Sequence, residues 1–268
     1  MNPVANFFIT VLAVTILRYF IIAGAAFFTF YKSFSSKAVS LKIQSKNASK
    51  ADFIRDIFHS MQTAVIFGVI ACIIFLTPVR QITQIPPDGT TMPLWWIALS
   101  LPLSLIIHDT YFYWMHRLLH HPRLFKHSHV LHHRSTNPSP WSSYSFHFFE
   151  AFTEGLILLI VTILLPMNAL AIGLFILVGF VINVYGHLGF EVAPLWLRNT
   201  PLFEIINTSV HHNVHHSKFK GNYGLYFRIW DRLMGTEHPD YVREYDRIQA
   251  NRMLALKHKK AQSELQEI

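Results

Sequence analysis

The sequence predicts an all-α integral membrane protein: four to five transmembrane helices carrying a cytosolic, histidine-rich helical cap. Three observations predict it. The chain is 51% hydrophobic and only 14% charged, where soluble domains carry about 25% charged residues. Its apolar residues are gathered into long runs rather than spread evenly. Fourteen of its seventeen histidines lie between His108 and His216, most of them beyond the ends of those runs.

Residues 7–31, 62–79 and 93–115 are each near the length needed to cross hydrocarbon, about 20 helical residues. Residues 151–166 and 168–186 are shorter, share a Pro-Met-Asn turn and read as a helical hairpin. The count is five spans, or four if the hairpin dips in and returns. A cleaved signal peptide is not expected, because the first charge is Arg18 and the first apolar run is too long for a signal core. Arg18 costs about 2.5–3.5 kcal/mol at mid-span unless it snorkels or pairs within the bundle.

Orientation follows from basic residues. Lys32, Lys37, Lys42, Lys46, Lys50 and Arg55 lie between the first two runs, whereas residues 80–92 offer only Arg80. The first loop is therefore expected in the cytosol, and all three histidine blocks with it. Three parts are expected: residues 1–60, a span and basic loop; 61–240, membrane helices plus the histidine cap; and 241–268, a charged helical tail. The net charge of +8 reads as an inner-face excess attracted to anionic lipid, not as nucleic-acid binding. A lone cysteine, Cys72, excludes an intrachain disulfide or a cysteine-held cluster.

The histidines fall at helical spacing. His116 and His120 stand four apart; His129, His132 and His133 form HVLHH; His212, His215 and His216 repeat that spacing in HNVHH. Positions i, i+3 and i+4 share one helix face, so each block presents its imidazoles together. Such a block is costly to leave dry and suits a cation that prefers nitrogen. Eight imidazoles are too many for one four-coordinate zinc and enough for two metals with open positions. The absence of HExxH excludes a zincin, and no Glu-x-x-His supports a carboxylate-bridged bundle. A non-enzymatic metal-binding or metal-transport protein is the alternative, but the span interiors carry few ionisable residues apart from His108 and Asp109.

HDTYFYWMHRLLH, FKHSHVLHH, and HHNVHH followed by NYGLYFRIWDRLMGT together resemble the fatty acid hydroxylase/sterol desaturase superfamily over roughly residues 94–236. The resemblance implies a membrane di-iron enzyme that uses dioxygen to hydroxylate or desaturate a sterol, fatty acyl or related long-chain lipid. It implies two iron ions on His116, His120, His129, His132, His133, His212, His215 and His216, with His187 on the last membrane helix; zinc can replace iron after overexpression. Where some members carry a further histidine on that helix, this chain has Asn183. Asp109, Glu150 and Asp231, like Asn183, are candidates to hold the ligands' other ring nitrogens. His121, His127, His147 and His211 flank the blocks and could ligate, relay protons or pack. Gly186 and Gly189 are expected near a lipid slot. No dinucleotide, flavin or haem motif is present, so electrons are expected from a separate ferredoxin or cytochrome b5-like carrier with its reductase, docked on the basic face.

Overall fold

Helix α1 (Pro3–Phe27) begins where the Asn2 side chain accepts a hydrogen bond from the Val4 amide, and it runs on through a wider π turn, Phe28–Ser33. The computed structural model describes residues 2–35, 38–46, 48–87 and 90–266, so Lys37 of the basic loop lies outside the described residues. Helix α2 (Lys50–Leu76) starts at a capping box in which Ser49 and Asp52 satisfy each other's backbone amides. Helix α3 (Leu94–Leu119) contains Pro102 and ends in the first histidine block. Short helices α4 (Pro122–Ser128) and α5 (Val130–His133) follow, then a 3-10 turn, Pro140–Tyr144. Helices α6 (Phe148–Gly155), α7 (Ile157–Leu164) and α8 (Ala169–Gly186) return through the apolar layer. The cap is closed by α9 (Ser209–Lys218), α10 (Ile229–Leu233) and α11 (Tyr241–Gln266). Among the described residues there is no sheet, only two isolated bridges, Lys42–Phe190 and Ile206–Phe227.

Among the described residues, three helices are long and apolar enough to cross a membrane: α1 with its π turn, α2 and α8. The expected count of four to five is therefore not reached on length and composition. Helix α3 has 26 residues, but Pro102, His108, Asp109 and the polar stretch that follows dilute its apolar character. The expected fourth run is broken at Leu156 into α6 and α7, eight residues each. Each is about 12 Å long, far short of a bilayer core. The α6 half carries Glu150 and Glu154, both buried, on its inner face.

Helices α1, α2 and α8 enclose one apolar core around Tyr19, Ile66, Ile70, Tyr144, Phe180 and Val184. The 3-10 turn wedges into it: the carbonyl of Trp141 accepts from Tyr19 Oη at 2.8 Å and from Ser60 Oγ at 3.3 Å. Arg18 stays inside the bundle, where its guanidinium donates to Tyr144 Oη at 3.4 Å and lies 5.7 Å from the Phe180 ring. A second core, in the cap, joins Phe203, Val210 and Val214 to Tyr241, Tyr245 and Ile248. The first turns of α11 are thus packed, and only its later part is solvated.

Arg228 ties this cap together. It is 1% exposed, donates to both carboxylate oxygens of Glu237 at 2.7 and 2.9 Å and to the Phe203 carbonyl, and lies between the Phe203 and Tyr241 rings. Removing one partner of such a pair strands the other. Arg228→Met is expected to destabilise the cap by about 3 kcal/mol, the lower end for a buried pair because Glu237 reaches solvent. Thermal unfolding in detergent checks this, and an unshifted transition would show that the fork ties nothing.

Candidate metal centre

Four segments deliver nine histidines to one place. His116 lies in the last turn of α3 and His120 caps it; His129 stands at the joint of α4 and α5, and His132 and His133 lie on α5. His187 follows the end of α8, and His212, His215 and His216 lie on α9. Their ring nitrogens form two groups, each with all its members within 4.8 Å of one another. One holds His116, His120, His129, His133 and His215; the other holds His132, His187, His212 and His216. Every histidine expected from the sequence falls in one of them. The blocks themselves are divided: the i, i+4 pairs 116/120, 129/133 and 212/216 stay together, while His132 and His215 cross to the opposite group.

The hydrogen bonds fix what these rings offer. Nδ1 of His116 bonds to the Tyr223 carbonyl at 2.9 Å, that of His132 to Ser145 at 3.3 Å, that of His187 to Asn183 at 2.8 Å, and that of His215 to Gly221 at 2.7 Å. His129 Nδ1 lies 2.7 Å from Glu150 Oε1. A carbonyl oxygen only accepts, so His116, His132, His187 and His215 each carry their one proton on Nδ1 and leave Nε2 bare. Yet His187 Nε2 is 3.3 Å from His132 Nε2. Two lone pairs at that distance repel unless a cation lies between them. The donor set therefore fits metal ions, two by the grouping, with imidazole as the ligand.

Burial, with the neighbouring imidazoles adding to it, holds His116, His129, His132, His133, His212 and His216 well below the usual histidine range. Burial also lowers His187 and His215, each to about 4. All are neutral at pH 7, the form that binds metal.

Supporting groups stand behind the rings. Glu150 touches His129 directly, whereas Asn183 serves His187 through its backbone carbonyl and donates its own amide to Ser143. Asp109 and Asp231 act one step further out. Asp109 accepts the amides of Leu225, Tyr226 and Phe227, and Asp231 those of Tyr223 and Gly224. Together they shape the loop whose Tyr223 and Gly221 carbonyls receive His116 and His215. Asp56 and Glu191 were not singled out by the sequence. Asp56, on α2, takes hydrogen bonds from Ser135 and Ser145, bracing the segment that receives His132. Glu191 accepts from Tyr185 Oη and, at the start of α9, from the Val210 amide. Neither follows a periodic pattern; Asp56 acts on a segment far away in sequence, and Glu191 joins the end of α8 to the start of α9.

The flanking histidines join neither group. His121 and His147 cap α4 and α6 by accepting from Arg123 and Phe149 amides. His127 is exposed, and His211 is buried with its Nε2 3.9 Å from Asp231.

A cavity of about 450 Å³ runs from Phe7, Val11 and Val14 of α1, past Phe75, Ile172 and Phe175, to His116, His129, His132, His187 and His212. Its walls are largely apolar. Gly186 and Gly189 do not line it; Gly155, Gly173 and Gly179 do. Gly189, at φ +77°, is packed against Tyr31 Oη and the Pro138 carbonyl, so it serves the backbone path rather than a slot.

The fatty acid hydroxylase family model matches residues 101–236, half of the chain and all nine grouped histidines. The chain belongs to this family. Among its relatives in the wider fatty acid hydroxylase/sterol desaturase superfamily, a Δ(7)-sterol 5(6)-desaturase of Gibberella zeae is 36% identical over 144 residues, 53% of this chain and 39% of the relative. Lathosterol oxidase of Rattus norvegicus is 33% identical over 189 residues, 69% and 61% of the two chains. A Δ(7)-sterol 5(6)-desaturase of Aspergillus fumigatus is 30% identical over 228 residues, 82% and 65%. The chain thus spans between about two fifths and two thirds of the length of these relatives. No solved structure matches this family member.

Two outcomes follow from the geometry. Gly221, at φ +76°, has room for no side chain, because a Cβ would lie 2.5 Å from the Thr236 carbonyl. Gly221→Ala is expected to displace the carbonyl that orients His215 and to lower metal content about 10- to 100-fold in affinity, although it removes no ligand. Elemental analysis against added chelator reads this.

The second concerns acid. His187 and His215 are depressed to about 4 in the folded state, so between that value and the unfolded value near 6.5 the unfolded chain binds protons that the folded chain does not. Stability contributed by the neutral rings is complete above that window and is lost as pH falls through it, at about 1.4 kcal/mol per unit per histidine. Metal content after dialysis at stepped pH is expected to hold at neutrality and to collapse in this window or below it. Retention far below it would demand carboxylate ligands instead.

Proposed function

We propose that this chain is a membrane di-iron enzyme that uses dioxygen to remove hydrogen from a sterol-like lipid. One observation carries the reading: two adjoining groups of imidazole nitrogens, all but His120 buried, border an apolar cavity. His116, His120, His129, His133 and His215 would hold one iron, and His132, His187, His212 and His216 the other. Bound iron would supply the reduction of dioxygen. Desaturation balances as lipid plus dioxygen, two electrons and two protons, giving an alkene and two waters; hydroxylation would give an alcohol and one water.

The chain's own residues do the rest. His116, His129, His132, His187 and His212 border the cavity and would present the centre to the substrate. The apolar wall formed by Phe112, Phe146, Phe175 and Ile172 would exclude water and suit a hydrocarbon. Glu150 Oε1 lies 2.7 Å from His129 Nδ1 and braces that ring from behind. Helices α1, α2 and α8, which all line the cavity, are membrane spans by length and composition, so substrate would arrive from the lipid phase. The sterol preference comes from the relatives' names, and the cytosolic placement from the basic loop between α1 and α2. Electrons would come from outside the chain.

Lipid profiling of cells with and without the protein tests this. The expected product is a sterol-like lipid lighter by two hydrogens, formed only with dioxygen, by protein holding two irons per chain. Metal flux into vesicles without oxygen uptake would establish a metal carrier instead. Replacing any grouped histidine by alanine is expected to abolish turnover and lower iron content, with His258→Ala, on the exposed part of α11, as the control. Gly173 lines the cavity with open space where a side chain would go. Gly173→Trp is expected to exclude a rigid sterol while sparing iron content; normal sterol turnover by this variant would place the substrate elsewhere.

A further inference from the structure

The cavity borders only one side of the centre. On the other side, His120 is the one grouped histidine that is not buried. Two phenylalanines cover that side. The Phe219 ring lies 5.1 Å from the His133 ring, and the Phe125 ring lies 5.2 Å from His120 and 5.6 Å from His133. The two phenylalanines are 6.4 Å apart. Phe219 is 41% exposed, so a single aromatic ring connects solvent to a candidate ligand.

Phe219 occupies a strained position. It caps α9 at φ +62°, a left-handed conformation normally given to glycine. A bulky residue there costs about 1–2 kcal/mol, and the cap's hydrogen bond, from the Phe219 amide to the His215 carbonyl, uses no side chain. Glycine would close the same cap without strain, so closing the helix does not account for the ring. Charge surrounds it: Lys218 and Lys220 flank it, and Arg123 and Lys126 sit on α4 beside Phe125, all exposed. Lys218 reaches Asp240 at 3.6 Å; among the described residues, no ion pair engages Arg123, Lys126 or Lys220.

We propose that Phe219 and Phe125, ringed by Arg123, Lys126, Lys218 and Lys220, form the docking and electron-entry surface for an acidic one-electron carrier protein. This rests on the reading of the centre as one that takes two electrons from outside. In each transfer the reduced carrier is oxidised by one electron and the centre is reduced by one, and two transfers serve each turnover. Substrate and carrier then approach from opposite sides and never compete. Electron tunnelling weakens steeply with distance, so the side where a ring touches both solvent and ligand is where a carrier gains most from docking.

The test uses the full chain, iron-loaded, in nanodiscs of neutral phosphatidylcholine. Two probes differ in charge: the acidic soluble haem domain of cytochrome b5 and basic cytochrome c. The acidic domain is expected to bind, more weakly as salt rises. Lys218→Glu/Lys220→Glu and Arg123→Glu/Lys126→Glu are each expected to weaken that binding about tenfold or more, and Lys257→Glu/Lys259→Glu on α11 to leave it unchanged. Phe219→Leu is expected to keep the affinity while slowing anaerobic reduction by the carrier about tenfold, with dithionite reducing all variants equally. Equal binding by the patch variants, an equal loss in the α11 control, or equal affinity for cytochrome c would overturn the proposal. So would patch variants that lose only binding to phosphatidylserine vesicles, which would make the patch a lipid-headgroup surface. Failure of dithionite to reduce the wild-type centre would sink the reading of the centre itself. Normal dithionite reduction with unaltered carrier binding across the patch variants would sink the docking surface alone.

Discussion

Repulsion between bare imidazole nitrogens is the constraint on which the rest of the structure depends. Backbone carbonyls hold the proton of four rings on Nδ1, so lone pairs converge in a buried centre. Leaving even one buried polar group unsatisfied costs about 1–3 kcal/mol, and here several face each other at about the same point. Cations sharing those lone pairs would remove that cost. Metal affinity and cap folding would then be one equilibrium, with the membrane helices as the platform on which it is set.

Support for the rings is layered. The nearest layer is backbone: carbonyls of Tyr223, Ser145, Asn183 and Gly221 set ring orientation and tautomer at once. Behind it lies a layer of buried carboxylates, Asp109, Asp231, Asp56 and Glu191, which grip the amides or hydroxyls of the segments that carry those carbonyls. Arg228 with Glu237 then joins that loop to the tail helix. Each carboxylate is satisfied mostly by donors from another segment, so the cap closes by polar contacts around a small apolar core. The lower part of the molecule closes differently, by aromatic packing of Tyr19, Tyr144 and Phe180 between three long helices.

Particular residues show how far the sequence could be read. Helical spacing marked the histidines that gather, because an i, i+4 pair shares a face in any context, and the pairs 116/120, 129/133 and 212/216 do stay together. Spacing could not assign His132 and His215 to the opposite group, since that depends on how α5 and α9 are rolled against each other. Apolar run lengths marked α1, α2 and α8. For residues 151–166 run length did not establish a span, because a one-residue turn at Leu156 divides the run and Glu154 on an inward face is decided by what the segment packs against.

The sequence by itself determined that the chain is helical and membrane-embedded and which imidazoles converge, because these follow from local periodicity and from transfer energies that each residue carries with it. Only the tertiary structure decided the division into five and four nitrogens, the meeting of His116 with the Tyr223 carbonyl, and the side on which the apolar cavity meets the centre. Those properties rest on contacts between segments separated by 50 to 170 residues in sequence, as between Gln44 and Asn213 or between His187 and His132. No local pattern encodes such contacts, because their energies exist only once the helices are packed.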